Sequence, residues 1–269
     1  MINSKEFAYE IRRLSLQMVF EAKASHIGGA LSIADLLGVL YSDIIKVDTN
    51  NSEWDQRDRF LLSKGHACTS LYAALAIKGF YPVERLATYG KDGSDFTGHA
   101  SHMVPGVELS TGSLGHALPI GCGIALAAKR KKQSFRTYVL TSDGELDEGS
   151  NWEAILFAPQ YKLDNLIMII DYNKIQSLGS TNDVINLEPL KKKFESFNWE
   201  SYEIDGHNHL EIKECLLGLT DNGFPKAIIA NTIKGKGIDF MENSVLWHYK
   251  SPSEDELENA LNQLINKKL

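Results

Sequence analysis

The chain has 269 residues, 43% of them hydrophobic and 23% charged, with a formal net charge of −7. This length is enough to bury a sizeable core and suits one large domain, while the acidic balance disfavours a nucleic-acid partner. The sequence has no run of about 18 apolar residues that would span a membrane, and three irregularly spaced cysteines argue against a disulfide framework. Since the N-terminus also lacks a signal-peptide pattern, we expect a cytoplasmic protein.

The first part of the chain is predicted to be mainly helical. Apolar residues recur at helical spacing over residues 4–22, which predicts a first helix. A loop of small residues, 24–30, then carries His26, and Ser32 is expected to cap a second helix that ends near residue 45. Residues 60–62 are predicted to form a short strand that leads towards an alanine-rich helix.

The second part of the chain alternates strands and helices. The predicted strands are short apolar runs bounded by turn residues: 137–141, 166–171, 199–204 and 227–231. Residues 253–269 are predicted to form a terminal amphipathic helix. This alternation predicts a single α/β domain over residues 1–269, with a doubly wound, mostly parallel sheet flanked by helices.

Polar residues follow two of these strands at the point where each strand ends. Asp143 and Gly144 come after the first strand of the pair, and Asn173 follows the next, 30 positions further on. Ligands of open α/β sheets collect outside the carboxyl ends of the strands, so these side chains are expected to meet at one edge. Carboxylate and amide oxygens suit Mg²⁺, and Gly144 lets a phosphate approach the backbone. The alternative is two ordinary strand-to-helix turns, with Asp and Asn as turn formers.

Histidines provide a second group of candidates. Most single histidines in proteins are satisfied core or surface side chains, and His207 and His209 are interpreted as loop and helix-cap residues of that kind. Four others lie in loops among Gly, Ala or Ser, where a ligand can approach: His26, His66, His99 and His248. Four such loops, together with the edge at Asp143 and Asn173, indicate one site.

Seven motifs in a fixed order resemble the N-terminal half of transketolase, and the resemblance covers nearly the whole chain. The thiamine diphosphate motif of that family is Gly-Asp-Gly, followed about thirty residues later by Asn. In this chain Ser142 stands in place of the first Gly. Ala100 stands where a Pro is common in the family. The motifs are Ser25-His-Ile-Gly-Gly29, Leu62-Ser-Lys-Gly-His-Ala67, Thr97-Gly-His99, Thr111-Gly-Ser-Leu-Gly115, Ser142-Asp-Gly-Glu-Leu-Asp-Glu-Gly149, Asp171-Tyr-Asn-Lys-Ile175, and Lys234-Gly-Lys-Gly237 with Trp247-His248.

The resemblance implies a role for each matching position. It implies that Asp143, Asn173 and the backbone carbonyl of Ile175 hold Mg²⁺, or Ca²⁺ or Mn²⁺ as a substitute. Three positions match residues that touch the cofactor's diphosphate: His66, Gly144 and His248. Three match residues on the thiazolium and aminopyrimidine side: Gly112, Ser113 and Leu114. Three positions match residues that face the substrate: His26, His99 and also His248. Glu148 matches an acidic residue that links two cofactor sites of an assembled dimer.

The activity implied is the transfer of a two-carbon ketol unit from a ketose or ketose phosphate to an aldose. In the family, a glutamate that activates the aminopyrimidine lies in a separate pyrimidine-binding domain, and the residues after 250 are accounted for by one helix. We therefore expect the chain to act only with a C-terminal transketolase subunit, in a heterotetramer of two copies of each chain (α₂β₂).

Three alternative functions remain open. The first is the α subunit of a thiamine-dependent 2-oxo acid dehydrogenase or decarboxylase, which is disfavoured because four loop histidines suit a polyhydroxylated substrate. The second is a transketolase-like subunit of a specialised sugar pathway. The third is a non-catalytic scaffold that retains the fold, against which the intact Asp143, Asn173 and histidine set argue.

Overall fold

The computed structural model describes residues 2–267, so the last two residues of the terminal helix expected over 253–269 lie outside the described part. Five strands within the described residues form one sheet in the order β1-β2-β3-β5-β4. Every neighbouring pair is parallel. The strands are β1 (Arg59–Leu62), β2 (Thr137–Ser142), β3 (Leu166–Tyr172), β4 (Glu200–Asp205) and β5 (Lys226–Asn231).

Ten α-helices accompany the sheet in residues 2–267. They are α1 (Ser4–Glu21), α2 (Ile27–Ser32), α3 (Ala34–Val39), α4 (Cys68–Lys78), α5 (Ala117–Arg130), α6 (Gly149–Gln160), α7 (Thr181–Val184), α8 (Leu190–Ser196), α9 (His209–Gly218) and α10 (Glu254–Lys267). Short 3₁₀ or π turns cover Leu40–Ile44, Gly65–Ala67, Val83–Thr88, Gly144–Asp147 and Val245–His248.

Helices cover both faces of the sheet. Alternate residues of β2 enter different cores, because successive side chains of a strand point to opposite faces. Tyr138 and Leu140 pack in the layer that contains α1, α3 and α4, whereas Val139 packs with α5 and α6 on the other face. Every residue of β2 and β3 is buried, and burial on both faces explains why the two strands are mostly apolar instead of alternating. The doubly wound α/β fold predicted from the sequence is therefore confirmed.

The segment around His26 differs from the prediction. His26 adopts a left-handed conformation with φ of 72°, and α2 begins directly after it at Ile27. Ser32 is the last residue of α2 rather than the cap of a longer helix. The prediction of a Ser32 cap was wrong because the hydroxyl is buried and donates to Asp171 at the end of β3, 2.7 Å away.

Two further features concern the whole described chain. Cys68, Cys122 and Cys215 carry free thiols, as expected from their spacing. Across residues 2–267, every helix is too short or too polar to cross a lipid bilayer.

Candidate active site

A cleft of about 270 Å³ opens at the carboxyl edge of the sheet. It forms where β2 and β3 end side by side, because their register pairs Ser142 with Asp171. Ten of the twelve site residues predicted from the sequence line this cleft: His26, His66, His99, Gly112, Leu114, Asp143, Gly144, Asn173, Ile175 and His248. The other two, Ser113 and Glu148, are exposed and are not part of its lining.

Asp143 joins the ends of β2 and β3. Its carboxylate accepts hydrogen bonds from the backbone N–H groups of Gly144, at 2.7 Å, and Lys174, at 2.5 Å. Burial, and next the negative charge of Asp171, raise the pKa of Asp143 to about 6. A cation beside this carboxylate would offset the cost of its charge.

Asp171, whose importance was not predicted from the sequence, organises the floor of the cleft. Its buried carboxylate accepts from Lys64 Nζ at 2.5 Å and from Asn173 Nδ2 at 3.0 Å, and also from the hydroxyls of Ser32 and Thr232. Burial opposes its charge, but the Lys64 ammonium and these hydrogen bonds hold the pKa of Asp171 below its usual value. Since a carboxylate only accepts, the amide nitrogen of Asn173 is directed towards Asp171.

Lys234 was also not predicted to be a site residue, although it lies in one of the seven family motifs. Its side chain is buried, and Nζ donates to the carbonyl of Ile175 at 3.0 Å. The same nitrogen lies 3.2 Å from Nδ1 of His248. Burial, and next the charge of Lys64, lower the pKa of Lys234 to about 8. The cleft therefore carries a cation that remains charged at neutral pH beside the oxygen predicted to bind the metal.

The four loop histidines converge in the cleft. The ring centroid of His26 lies 5.1 Å from that of His66, 5.0 Å from that of His248 and 6.1 Å from that of His99. Burial first, and nearby positive or histidine charges next, lower the pKa of His26 to about 4 and that of His248 to about 3. The same causes place the pKa of His66 well below its usual value. These three rings are therefore neutral at pH 7 and can both donate and accept.

Glu145, a further residue that the sequence did not reveal, anchors the loop 111–115. Its buried carboxylate accepts from the N–H of Gly115 at 2.9 Å and from the hydroxyl of Ser63. This contact joins the glycine-rich loop to the end of β1. Burial raises the pKa of Glu145. The loop is thereby held so that Gly112 and Leu114 face the cleft.

The donor set fits a hard divalent cation. Asp143, Asn173 and the Ile175 carbonyl offer only oxygen, which is the ligand type that Mg²⁺ prefers, and phosphate and water normally complete its shell. No group of three or more His, Cys, Asp or Glu side chains suited to a metal occurs in the described part of the chain. A Cβ at Gly144 would come within 2.9 Å of Gln176 Cγ, so a larger residue there would displace a side chain that lines the cleft.

A parallel α/β sheet with a polar cleft at its carboxyl edge is the architecture of a ligand-binding enzyme domain. Residues 3–266 match the family described as the thiamine diphosphate binding domain of transketolase. The chain belongs to the transketolase family.

Relatives of similar length and a longer solved structure support this assignment. The chain is 45% identical over 240 residues to an apulose-4-phosphate transketolase subunit of Actinobacillus succinogenes, covering 89% of this chain and 87% of that one. It is 39% identical over 265 residues to a 6-deoxy-6-sulfo-D-fructose transketolase subunit of a Clostridium species, covering 98% and 96%. The transketolase structure from Campylobacter jejuni superposes with a TM-score of 0.92 at 34% identity and covers 97% of this chain. The chain spans only 42% of the length of that transketolase.

Proposed function

We propose that this chain is the thiamine diphosphate-binding subunit of a two-chain transketolase, which moves a two-carbon ketol unit from a ketose or ketose phosphate to an aldose. The observation that carries the proposal is the convergence of the Asp143 and Asn173 edge with four histidine-bearing loops in one cleft. Membership of the transketolase family gives that convergence its chemistry.

The floor of the cleft is proposed to hold the cofactor's diphosphate and Mg²⁺. Asp143, Asn173 and the carbonyl of Ile175 supply the metal's protein oxygens. Lys234, which lies beside that carbonyl, and His66 face the phosphate oxygens, whose negative charge the metal and the ammonium neutralise. When bound, thiamine diphosphate supplies the carbanion that adds to the donor's carbonyl carbon, and the protein supplies orientation and electrostatics.

Three of the histidines, His26, His99 and His248, are proposed to handle the sugar. A neutral imidazole donates one hydrogen bond and accepts another, so His26 and His248 can align hydroxyl groups. With pKa values lowered to about 4 and about 3, neither ring carries a positive charge that would repel the Lys234 ammonium. His99 lies at the exposed rim, where an incoming sugar passes. The rings can stabilise a developing alkoxide and move a proton at the carbonyl oxygen.

A second polypeptide is proposed to complete the site, in an α₂β₂ assembly. Two relatives that this chain matches over most of their length are named as transketolase subunits. An exposed apolar strip at the end of α6 also supports a partner: Leu156 is 65% exposed, and the rings of Phe157 and Tyr161, the residue that follows the helix, lie 4.3 Å apart. The cytoplasmic location expected from the free cysteines stays a prediction.

A reconstitution assay tests this proposal. The purified chain is expected to show no ketol transfer alone, and to gain it when mixed with a pyrimidine-binding chain such as one encoded beside it. Asp143→Asn, which removes a metal-ligand charge while keeping the shape, should abolish the reconstituted activity. Full activity of the lone 269-residue chain would contradict the two-chain arrangement. Failure of the wild-type mixture to bind thiamine diphosphate would favour a scaffold.

A further inference from the structure

A buried ionic cluster lies behind the loop that carries Lys234, outside the cleft lining. Arg12 of α1 is fully buried and donates to both carboxylate oxygens of Asp35, at 2.9 and 2.5 Å. The same carboxylate lies 2.7 Å from Nδ1 of His207 and 3.0 Å from Nε2 of His209. Three polar side chains, those of Arg12, His207 and His209, thus meet at the Asp35 carboxylate.

Two members of this cluster also hold the backbone on both sides of Lys234. The N–H of Ile233 donates to Nε2 of His207 at 2.9 Å. Arg12 Nε donates to the carbonyl of Lys236 at 3.1 Å. The backbone from 233 to 236 is therefore anchored to α1 and to the loop before α9, while the Lys234 side chain reaches into the cleft.

The bond from Ile233 sets the tautomer of His207. A backbone N–H can only donate, so Nε2 of His207 must be the unprotonated, accepting nitrogen. Nδ1 then carries the proton and donates to Asp35. Burial opposes the charge of Asp35, but Arg12 and the two histidines hold the pKa of that carboxyl well below its usual range, so it remains an ionised acceptor. The His207 ring therefore donates to Asp35 through Nδ1 and accepts from the Lys234 loop through Nε2.

We propose that His207 is a positioning residue for Lys234: by tying Ile233 to Asp35, it places the Lys234 ammonium against the Ile175 carbonyl and the cofactor's diphosphate. The contact with the diphosphate rests on the proposed function, whereas the tie to Ile233 does not. A lysine side chain has several rotatable bonds, so a fixed backbone limits the positions its ammonium can occupy. In metal sites, replacing an outer partner of a ligand side chain typically costs about 10- to 100-fold in affinity, and we expect an effect at the lower end of that range here.

His209 provides the matched control. It bonds to the same carboxylate, but its other ring nitrogen lies 2.9 Å from the hydroxyl of Ser4 instead of the Lys234 loop. Both histidine side chains are 12% exposed, so their replacement removes similar burial. His207→Leu and His209→Leu should therefore cost similar thermal stability while differing in their effect on Lys234.

The first measurement is amide hydrogen exchange in the full chain without ligand. The amide of Ile233 should exchange about tenfold faster in His207→Leu, because it loses its acceptor, and should be unchanged in His209→Leu. Unchanged exchange in His207→Leu would overturn the tie. Should His207→Leu fail to fold, His207→Gln and His207→Asn decide instead. The longer Gln amide can present an acceptor to Ile233 and keep it protected, whereas Asn is too short to reach it.

The second measurement is titration of thiamine diphosphate with MgCl₂, followed by tryptophan fluorescence. His207→Leu should weaken binding by about tenfold, His207→Gln should restore most of it, and His209→Leu should bind like wild type. On a Lys234→Ala background, His207→Leu should have no further effect, which a double-mutant cycle detects. Equal weakening by the two Leu variants, or an effect that persists without Lys234, would overturn the positioning role. If the wild-type chain and its reconstituted complex bind no cofactor, the proposed function fails, and the exchange measurement still decides the tie to Ile233.

Discussion

The side-chain nitrogen of Asn173 donates to the carboxylate of Asp171 over 3.0 Å, and this contact fixes which end of the amide faces the cleft. Asp171 is itself held by the Lys64 ammonium at 2.5 Å. A buried ion pair below the cleft thus orients a proposed metal ligand above it. In many metal sites, a hydrogen bond from the ligand side chain to a further residue sets the orientation of that ligand.

This relationship predicts an unusual outcome for Asn173→Asp. A carboxylate normally strengthens a Mg²⁺ site, but here it would lose the bond to Asp171 and place a second negative charge beside it. We expect Mg²⁺-dependent cofactor affinity to fall by about tenfold and the free energy of unfolding to fall by about 1–3 kcal/mol. Calorimetric titration and thermal unfolding measure the two effects, with Asn173→Ala as the uncharged control. Tighter Mg²⁺ binding by Asn173→Asp would show that Asp171 does not orient the amide.

The four histidines are predicted to divide into two pairs. His66→Ala and His248→Ala should weaken cofactor binding, because both positions match residues that touch the diphosphate in the family and His248 Nδ1 lies 3.2 Å from Lys234 Nζ. His26→Ala and His99→Ala should mainly lower turnover in the reconstituted enzyme, because they face the proposed sugar. Cofactor titration and steady-state kinetics of all four variants separate the pairs. Unchanged cofactor affinity in both members of the first pair would contradict the assignment.

Cofactor affinity is predicted to peak between two pH limits. The pKa of Asp143 is raised to about 6, so below that pH a proton competes with the metal for its carboxylate. The pKa of Lys234 is lowered to about 8, so above that pH the ammonium loses the charge that attracts the diphosphate. Lys234→Arg should retain affinity above about pH 8, because arginine stays protonated, while its acid limb should match wild type. Titrating both proteins in the same buffers cancels ionisation of the ligand, and parallel alkaline limbs would show that Lys234 does not cause the decline.

Two glycines are predicted to respond to alanine in opposite ways. Gly115 has φ of 83°, and a Cβ there would lie 2.5 Å from Ser150 Oγ and 2.7 Å from Glu148 Cβ. Gly115→Ala should therefore lower the free energy of unfolding by about 1–3 kcal/mol. Gly123 lies within α5, and a Cβ there would meet no atom within 4 Å. Gly123→Ala should raise the free energy of unfolding by about 0.5–1 kcal/mol. Chemical denaturation measures both, and a neutral Gly115→Ala would mean that the 111–115 loop adapts freely.

Many of the residues that line the cleft could be predicted, because their positions at strand ends and in loops follow from the types of their neighbours in the sequence. Apolar runs of strand length, each followed by a polar turn, placed Asp143 and Asn173 at strand ends, and a parallel sheet brings such ends to one edge. Small residues around His26, His66 and His248 indicated loops that a ligand can approach. Ser113 and Glu148 are exposed and lie outside the cleft lining, and the role implied for Glu148, at a contact between two cofactor sites of a dimer, stays a prediction.

The site residues that could not be predicted are those whose partners are distant in the chain. Lys64 and Asp171 are separated by 107 positions, and Ser32 and Asp171 by 139. A charged side chain is ordinarily expected to be exposed, and nothing in its neighbours along the chain reveals that an opposite charge will be buried against it. His207 lies in the loop before α9, as interpreted, but its contact with Asp35, 172 positions away, could not be inferred from the sequence.

Residue order alone was therefore sufficient for the strands, most of the helices, the sheet class and the types of side chain at the strand ends, since hydrophobic period and turn chemistry act over a few residues. Only the tertiary structure determined three contacts between side chains and their partners. These are the carboxylate that neutralises Lys64, the direction in which the Asn173 amide faces, and the ring that holds the Lys234 loop. Those choices depend on long-range packing that buries polar groups together, because a buried charge is stable only when a partner from elsewhere in the chain satisfies it.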